Sequence, residues 1–170
     1  MERLRRFAAV IDGLSERTGR ALSWLMPAMV VVIAFEVVAR YLFAAPTIWA
    51  YDSALILYAW LGLVGGAFAM KRGAHIRVDL FTANLSPRKQ AVLELLGAPF
   101  VVFFLGLVVW QVGMASLDAL VSGSRRPTEW APPLILFLAT APLGGALLLL
   151  QQASQVVKAI DVLLNGEASS

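Results

Sequence analysis

Apolar positions along most of this chain neither alternate nor keep to one side of a helix; they run on uninterrupted. Four such runs stand out, at about 21–43, 50–70, 91–117 and 131–150. A helix needs roughly 20 mostly apolar residues to cross about 30 Å of hydrocarbon, so each run predicts a transmembrane helix. Charged residues act as rulers. Arg20 and Arg40 bracket the first run, and Asp52 and Lys71 the second, at separations of about 30 Å and 28 Å for a rise of 1.5 Å per residue. The third run, between Glu94 and Asp118, measures about 36 Å and is expected to tilt or protrude. Pro27, Pro99 and Pro142 lie inside spans, where each removes a helical hydrogen bond and predicts a local kink.

Residues 1–20 follow a different pattern. Leu4, Phe7, Ile11 and Leu14 share one helical face, with arginines elsewhere. That suits an interfacial amphipathic helix, with a frayed basic tail as the equal alternative. A cleaved signal peptide is rejected. The basic region is long, the following apolar run exceeds a usual signal core, and no small-x-small cleavage site follows at the right distance. The organisation expected is a basic segment over 1–20, a four-helix membrane domain over 21–157 and a short polar tail over 158–170.

Composition sharpens the class. Apolar residues make up 59% of the chain, against about 45–50% in soluble domains, an excess that no aqueous core of this size would hold. The reading is an all-α, multi-pass membrane protein. Charge placement orients it. Eleven basic residues fall in the N-terminal segment, the 71–90 loop and the tail, and three (Arg40, Arg125, Arg126) on the other side. This asymmetry predicts cytoplasmic N- and C-termini. With no cysteine and one histidine, thiolate chemistry is excluded and a metal centre is disfavoured. No Walker or Rossmann motif occurs. No catalytic, metal or substrate-binding set, no cofactor and no nucleic-acid partner are expected.

Several residues remain as structural or interface candidates. Glu36 and Arg40, one turn apart near the end of span one, suit an ion pair that fixes the helix at the outer boundary. Gly62 and Gly66 have the small-xxx-small spacing that lets helix backbones approach, and together with Gly106 and Gly113 of span three and Gly144 and Gly145 of span four they predict close packing. Trp49 and Trp130 fall at outer boundaries, where aromatic belts form. The outward loop "SRRPTEW" offers Arg125, Arg126, Glu129 and Trp130 as a docking surface. In "KRGAHIRVDLF", His75, Arg77 and Asp79 alternate with apolar residues; an ordered membrane-boundary loop is favoured over a metal or catalytic site. Ser86 and Pro87 then restart a helix as N-cap and N1.

The stretch from Phe35 to Gln90 resembles the small membrane subunit of tripartite ATP-independent periplasmic (TRAP) transporters, the DctQ-like proteins. The features are V-x-x-R-Y-x-F at the end of span one, a Trp shortly before an acid, an aromatic-rich span two, and H-I-R-V-D before L-S-P-R. Where the family often has Glu-Glu or Glu-Leu after the Trp, this chain has Ala50-Tyr51-Asp52, so Asp52 would supply the acid. The resemblance implies an accessory scaffold in the bacterial inner membrane. Its partners would be a much larger membrane subunit that moves the solute, a periplasmic solute-binding protein, and lipids. Uptake, usually of an organic acid, would be driven by a cation gradient, typically sodium. The residues leave two rivals: a self-assembling channel with Glu36 lining its pore, and a stand-alone membrane enzyme.

Overall fold

The computed structural model describes residues 2–72 and 85–165. Their regular structure is helical, apart from one isolated antiparallel bridge between Arg125 and Pro133. The elements are α1 (Glu2–Ser23), α2 (Leu25–Leu42), α3 (Ala50–Ala59), a π-helical turn (Trp60–Val64), α4 (Gly66–Lys71), α5 (Pro87–Ser122), α6 (Ile135–Leu138) and α7 (Thr140–Asn165). They make four membrane spans: α2; α3 through α4; α5; and α6 with α7. Arg5 near one terminus pairs with Asp161 near the other, so both termini lie at one end of the molecule. The two hairpin loops, 43–49 and 123–134, lie at the other.

Proline and glycine set the breaks. Pro27 has no N–H for the Ser23 carbonyl, and the helix is interrupted at Trp24, between α1 and α2. Pro142 cannot donate to Leu138, and the fourth span is broken at Ala139. Pro99, by contrast, is absorbed within the continuous helix α5. That helix has 36 residues and would measure about 54 Å, well beyond a hydrocarbon core. It starts as expected at Pro87 behind an extended Ser86, although the Ser86 hydroxyl makes no capping bond. It ends at Gly123, whose φ of 63° is the left-handed C-cap geometry that glycine adopts without strain.

Two segments differ from expectation. The helical part of the fourth span begins only at Ile135, because Pro132 and Pro133 hold an extended turn. It then continues to Asn165, through most of the stretch read as a polar tail. The 2–20 segment is helix, and it packs edge-on against α7 and α4 rather than standing apart. The extension of α7 to Asn165 and the docking of α1 have one cause: the polar residues of α1 and α7 find each other.

The spans do not close into a bundle. Span three packs chiefly on span four, span four on span two, and span two on span one, giving the spatial order 1-2-4-3. At the termini end α1 adds a third helix beside α4 and α7. The most apolar 18-residue stretch of span one contains no buried residue, and that of span three has 6% of its residues buried. An open layer of this kind cannot cover its own apolar surface; lipid or another membrane protein must do so.

The closest approach of backbones joins spans two and four. A Cβ built on Gly144 would lie 2.3 Å from the Leu63 carbonyl oxygen and 3.0 Å from the Val64 nitrogen, so no larger residue fits. The π turn occupies this same level. Trp60 Nε1 donates to the Leu136 carbonyl at 3.0 Å, linking the widened turn of span two to the broken start of span four.

Candidate functional site: polar latches at both ends of the helices

At the loop end, two carboxylates each hold a loop. Glu36, in the penultimate turn of α2, accepts from Arg40 Nε at 2.9 Å, as the i,i+4 spacing predicts. Its second oxygen accepts from the Thr47 backbone N–H at 3.0 Å and from the Thr47 hydroxyl. Glu36 therefore ties the 43–49 loop back onto span one, while Arg40 stays half exposed. Trp49, at the N-cap of α3, stacks on Phe35 with ring centres 5.7 Å apart.

Asp52 does the same for the second loop. It lies in the first turn of α3 and is 1% exposed. Thr128 Oγ1 donates to its Oδ2, and Arg126 Nε stands 3.5 Å from its Oδ1. Oδ1 itself has no hydrogen bond. Arg126 also lies over the Phe137 ring at 5.5 Å. Backbone bonds from Arg126 N to Pro132 O and from Leu134 N to Ser124 O close the hairpin. This leaves Arg125 and Glu129 exposed and Trp130 40% exposed. Of the outer candidates, then, Arg126 faces inward as a fastener, while Arg125, Glu129 and Trp130 face outward.

At the termini end the polar groups form a longer seam. Ser15 Oγ donates to Gln151 Oε1 at 2.6 Å. The Asp12 carboxylate accepts from three donors: Gln151 Nε2 at 2.9 Å, Ser154 Oγ at 3.1 Å and Lys158 Nζ at 2.6 Å. Arg5 reaches Asp161 at 2.8 Å. Partner numbers fall as those of α1 rise, so the two helices run antiparallel. Gln151 and Ser154 are fully buried. Burial pushes the Asp12 carboxyl up, but the bonds and charge of Lys158, with Gln151 and Ser154, outweigh it and hold Asp12 below its ordinary value. Gln152 extends the seam to span three by donating to Glu94 at 3.1 Å.

Beside this seam, Glu16 is clamped by three cations: Lys71 and Arg72, which end span two, and Arg20 on its own helix. Lys71 first, then Arg72, lower its carboxyl to about 2. None of these residues was a site candidate from sequence, where Arg20, Lys71 and Glu94 served only to mark span ends. The signal was present in the spacing: Arg5, Ala8, Asp12, Ser15 and Gly19 recur at alternating steps of three and four, as do Gln151, Ser154, Lys158 and Asp161.

The glycines divide. A Cβ built on Gly62 would meet nothing within 4 Å, and one on Gly66 would make ordinary contact with Leu148 at 3.5 Å. The tight crossings fall at Gly144, against the Leu63 backbone, at Gly145, against the Val109 side chain, and at Gly19, against Phe68. His75, Arg77 and Asp79 lie outside the described residues. Among the described residues no group of three His, Cys, Asp or Glu is placed to hold a metal.

These features bear comparison with known proteins. Residues 29–162 match the family described as tripartite ATP-independent periplasmic transporters, DctQ component. Over 68 residues, 40% of this chain and 29% of the relative, the sequence is 35% identical to the C4-dicarboxylate TRAP transporter small permease protein DctQ of Vibrio cholerae. It is 31% identical over 71 residues to the sialic acid TRAP transporter small permease protein SiaQ of the same organism, covering 42% of this chain and 41% of that one. Over 101 residues, 59% of this chain and 44% of the relative, it is 26% identical to the C4-dicarboxylate small permease protein DctQ of Rhodobacter capsulatus. The chain thus spans less than half the length of each of these relatives. With four helices long and apolar enough to cross a membrane and a match running over residues 29–162, this chain belongs to the DctQ-component family of TRAP transporters and is a multi-pass inner-membrane protein.

Proposed function

We propose that the chain is a non-translocating scaffold subunit. It would enlarge the fixed framework against which a larger membrane partner moves an organic acid or related small solute, delivered by a periplasmic binding protein and driven by a cation gradient. The observation that carries this reading is the open layer. Spans one and three bury almost none of the residues in their most apolar stretches, and on this reading another membrane body, with lipid, covers them. The carboxylates near the spans support it. Glu36, Asp52 and Glu94 are each engaged by a neighbour within the chain and serve as fasteners rather than as steps of an ion path.

In this reading the termini are cytoplasmic and the loop end is periplasmic, as the basic residues predict. Arg125, Glu129 and Trp130 then face the compartment of the binding protein on a hairpin held rigid by Asp52, and offer it a docking surface. The channel reading fares worse, because the Glu36 carboxylate is occupied by Arg40 and Thr47 instead of lining a pore.

Co-expression with a candidate large subunit tests the proposal. The two should copurify, and uptake in proteoliposomes should need both subunits, the binding protein and a cation gradient. Solute flux through this chain alone in liposomes refutes it. A uniform homo-oligomer that conducts ions favours the channel.

A further inference from the structure

Beyond the end of span two, α1 and α7 continue together along the axis of the spans. Glu16 is fastened to Lys71 and Arg72, which mark the boundary level. From there α1 lies antiparallel along α7, with Ser15 against Gln151, Asp12 against Lys158 and Arg5 against Asp161. At 1.5 Å per residue, the stretch from Glu16 to Glu2 extends about 21 Å past that level. The residues of α7 at the same heights include Gln151, Gln152, Gln155, Lys158 and Asp161, which suit water rather than hydrocarbon. One side of this pair is unoccupied. At 100° per residue, Ala8, Asp12 and Ser15 face α7, and Glu16 and Gly19 face span two. Turned the other way are Phe7 and Leu14, 48% and 44% exposed. The same side of α7, away from span two, carries Val157 and Leu164, the latter 68% exposed. These four line an apolar groove between the two helices. Exposed Val10 forms its rim on α1, with Arg3, Arg6 and Arg17. Arg6 meets the exposed Glu2 of its own turn, and among the described residues Arg3 and Arg17 have no hydrogen-bond or ion-pair partner.

We infer that this groove takes a third helix, amphipathic and with an acidic edge, carried by the larger membrane partner. The inference rests on the reading of this chain as one subunit of a transporter. The incoming helix lays its apolar face between α1 and α7, and its acids meet the arginine rim. Direction decides against lipid, because the groove climbs away from the leaflet into water, where an apolar cleft between polar helix faces marks a protein contact. Charge decides against a second copy, which would bring its own Arg3, Arg6 and Arg17 to the same rim. The groove starts at the boundary level, so a helix that continues out of the bilayer beside these spans enters it without a turn. The buried seam between α1 and α7 holds both walls, so little ordering is left to be done on binding.

The test places the photo-crosslinking residue p-benzoylphenylalanine at Leu14 or Val157 of the full chain, co-expressed with the candidate large subunit. Both positions should crosslink to that subunit, and peptide mapping should put the attachment on a segment whose sequence reads as an acidic amphipathic helix. The same group at Ala9, exposed on the opposite side of α1, should not crosslink. Combining Arg3→Gln, Arg6→Gln and Arg17→Gln should cut the crosslinked fraction roughly tenfold, as the loss of three rim ion pairs would. Lysine at the same sites should restore it. Copurification of the two subunits with no crosslink from the groove overturns the inference and leaves the scaffold reading standing. Crosslinks from the groove to lipid or to a second copy of this chain overturn it too, as does an undiminished crosslink in the glutamine variant. If no complex forms, the scaffold reading fails and the inference falls with it.

Discussion

Gly144 offers the sharpest test of how the spans are joined. A methyl group there would stand 2.3 Å from the Leu63 oxygen, 2.6 Å from its carbonyl carbon and 3.0 Å from Val64 N. Ordinary contact begins near 3.5 Å, so Gly144→Ala must push spans two and four apart by about 1 Å. All three obstructing atoms are backbone and cannot rotate away. Overpacking of this kind costs about 1–3 kcal/mol, and the rigid obstruction places it in the upper part of that range. Alanine returns about 0.5–1 kcal/mol relative to glycine in a helix, leaving a net loss of about 1–2 kcal/mol. For a chain of this size that lowers Tm by roughly 2–8 °C. The assay is thermal unfolding in detergent or nanodiscs, with two controls. Gly62→Ala, which meets nothing within 4 Å, should be neutral or stabilising. Gly66→Ala, whose nearest neighbour is the Leu148 side chain at 3.5 Å, should be tolerated. If Gly144→Ala melts at or above the parent, or Gly62→Ala falls as far, the packing argument is wrong.

Other expectations follow from the latches. Asp52→Asn should loosen the 124–134 hairpin by leaving Arg126 without its carboxylate; trypsin added at the loop end should then cut after Arg125 faster than in the parent. Glu36→Ala should weaken the 43–49 loop more than Arg40→Ala does, because Thr47 loses both its bonds only in the first; hydrogen exchange at Thr47 reads the difference. Gln151→Leu strips a partner from both Ser15 and Asp12 and should cost about 1–3 kcal/mol in thermal unfolding, since buried polar groups are left unsatisfied. Glu16 gives a pH dependence. Its folded carboxyl lies at about 2, below the ordinary 4.5, so the stability it contributes is full above 4.5 and is lost as pH falls toward about 2. Asp12 is lowered too and acts in the same sense. Between about pH 6 and pH 3 the parent should lose more stability than Glu16→Gln, and equal losses would remove the clamp from the account.

The sequence by itself determined the class and the number of spans, and it marked Glu36, Arg40 and Asp52 at the loop end without most of their partners. Runs of apolar residues as long as a bilayer is thick have one stable form there, a helix with its backbone bonds satisfied internally, so length and hydropathy sufficed. The Glu36–Arg40 pair was legible because i,i+4 spacing fixes the geometry within one helix. Asp52 stood out as an acid at a span boundary, but its partners, Thr128 and Arg126, lie far along the chain and came only from the fold. Tertiary structure alone decided the spatial order 1-2-4-3 and which of the span glycines makes the tight crossing, Gly144 and not Gly62, since a glycine spacing shows where backbones are able to meet, not which helix arrives. It also decided the fate of the two polar ends. Read singly, residues 1–20 and 158–170 are hydrophilic segments beside a membrane domain. Brought together antiparallel, residues 5–15 and 151–161 satisfy one another, because a charge or amide at the bilayer edge gains more from a partner across a helix interface than from either segment's own turns.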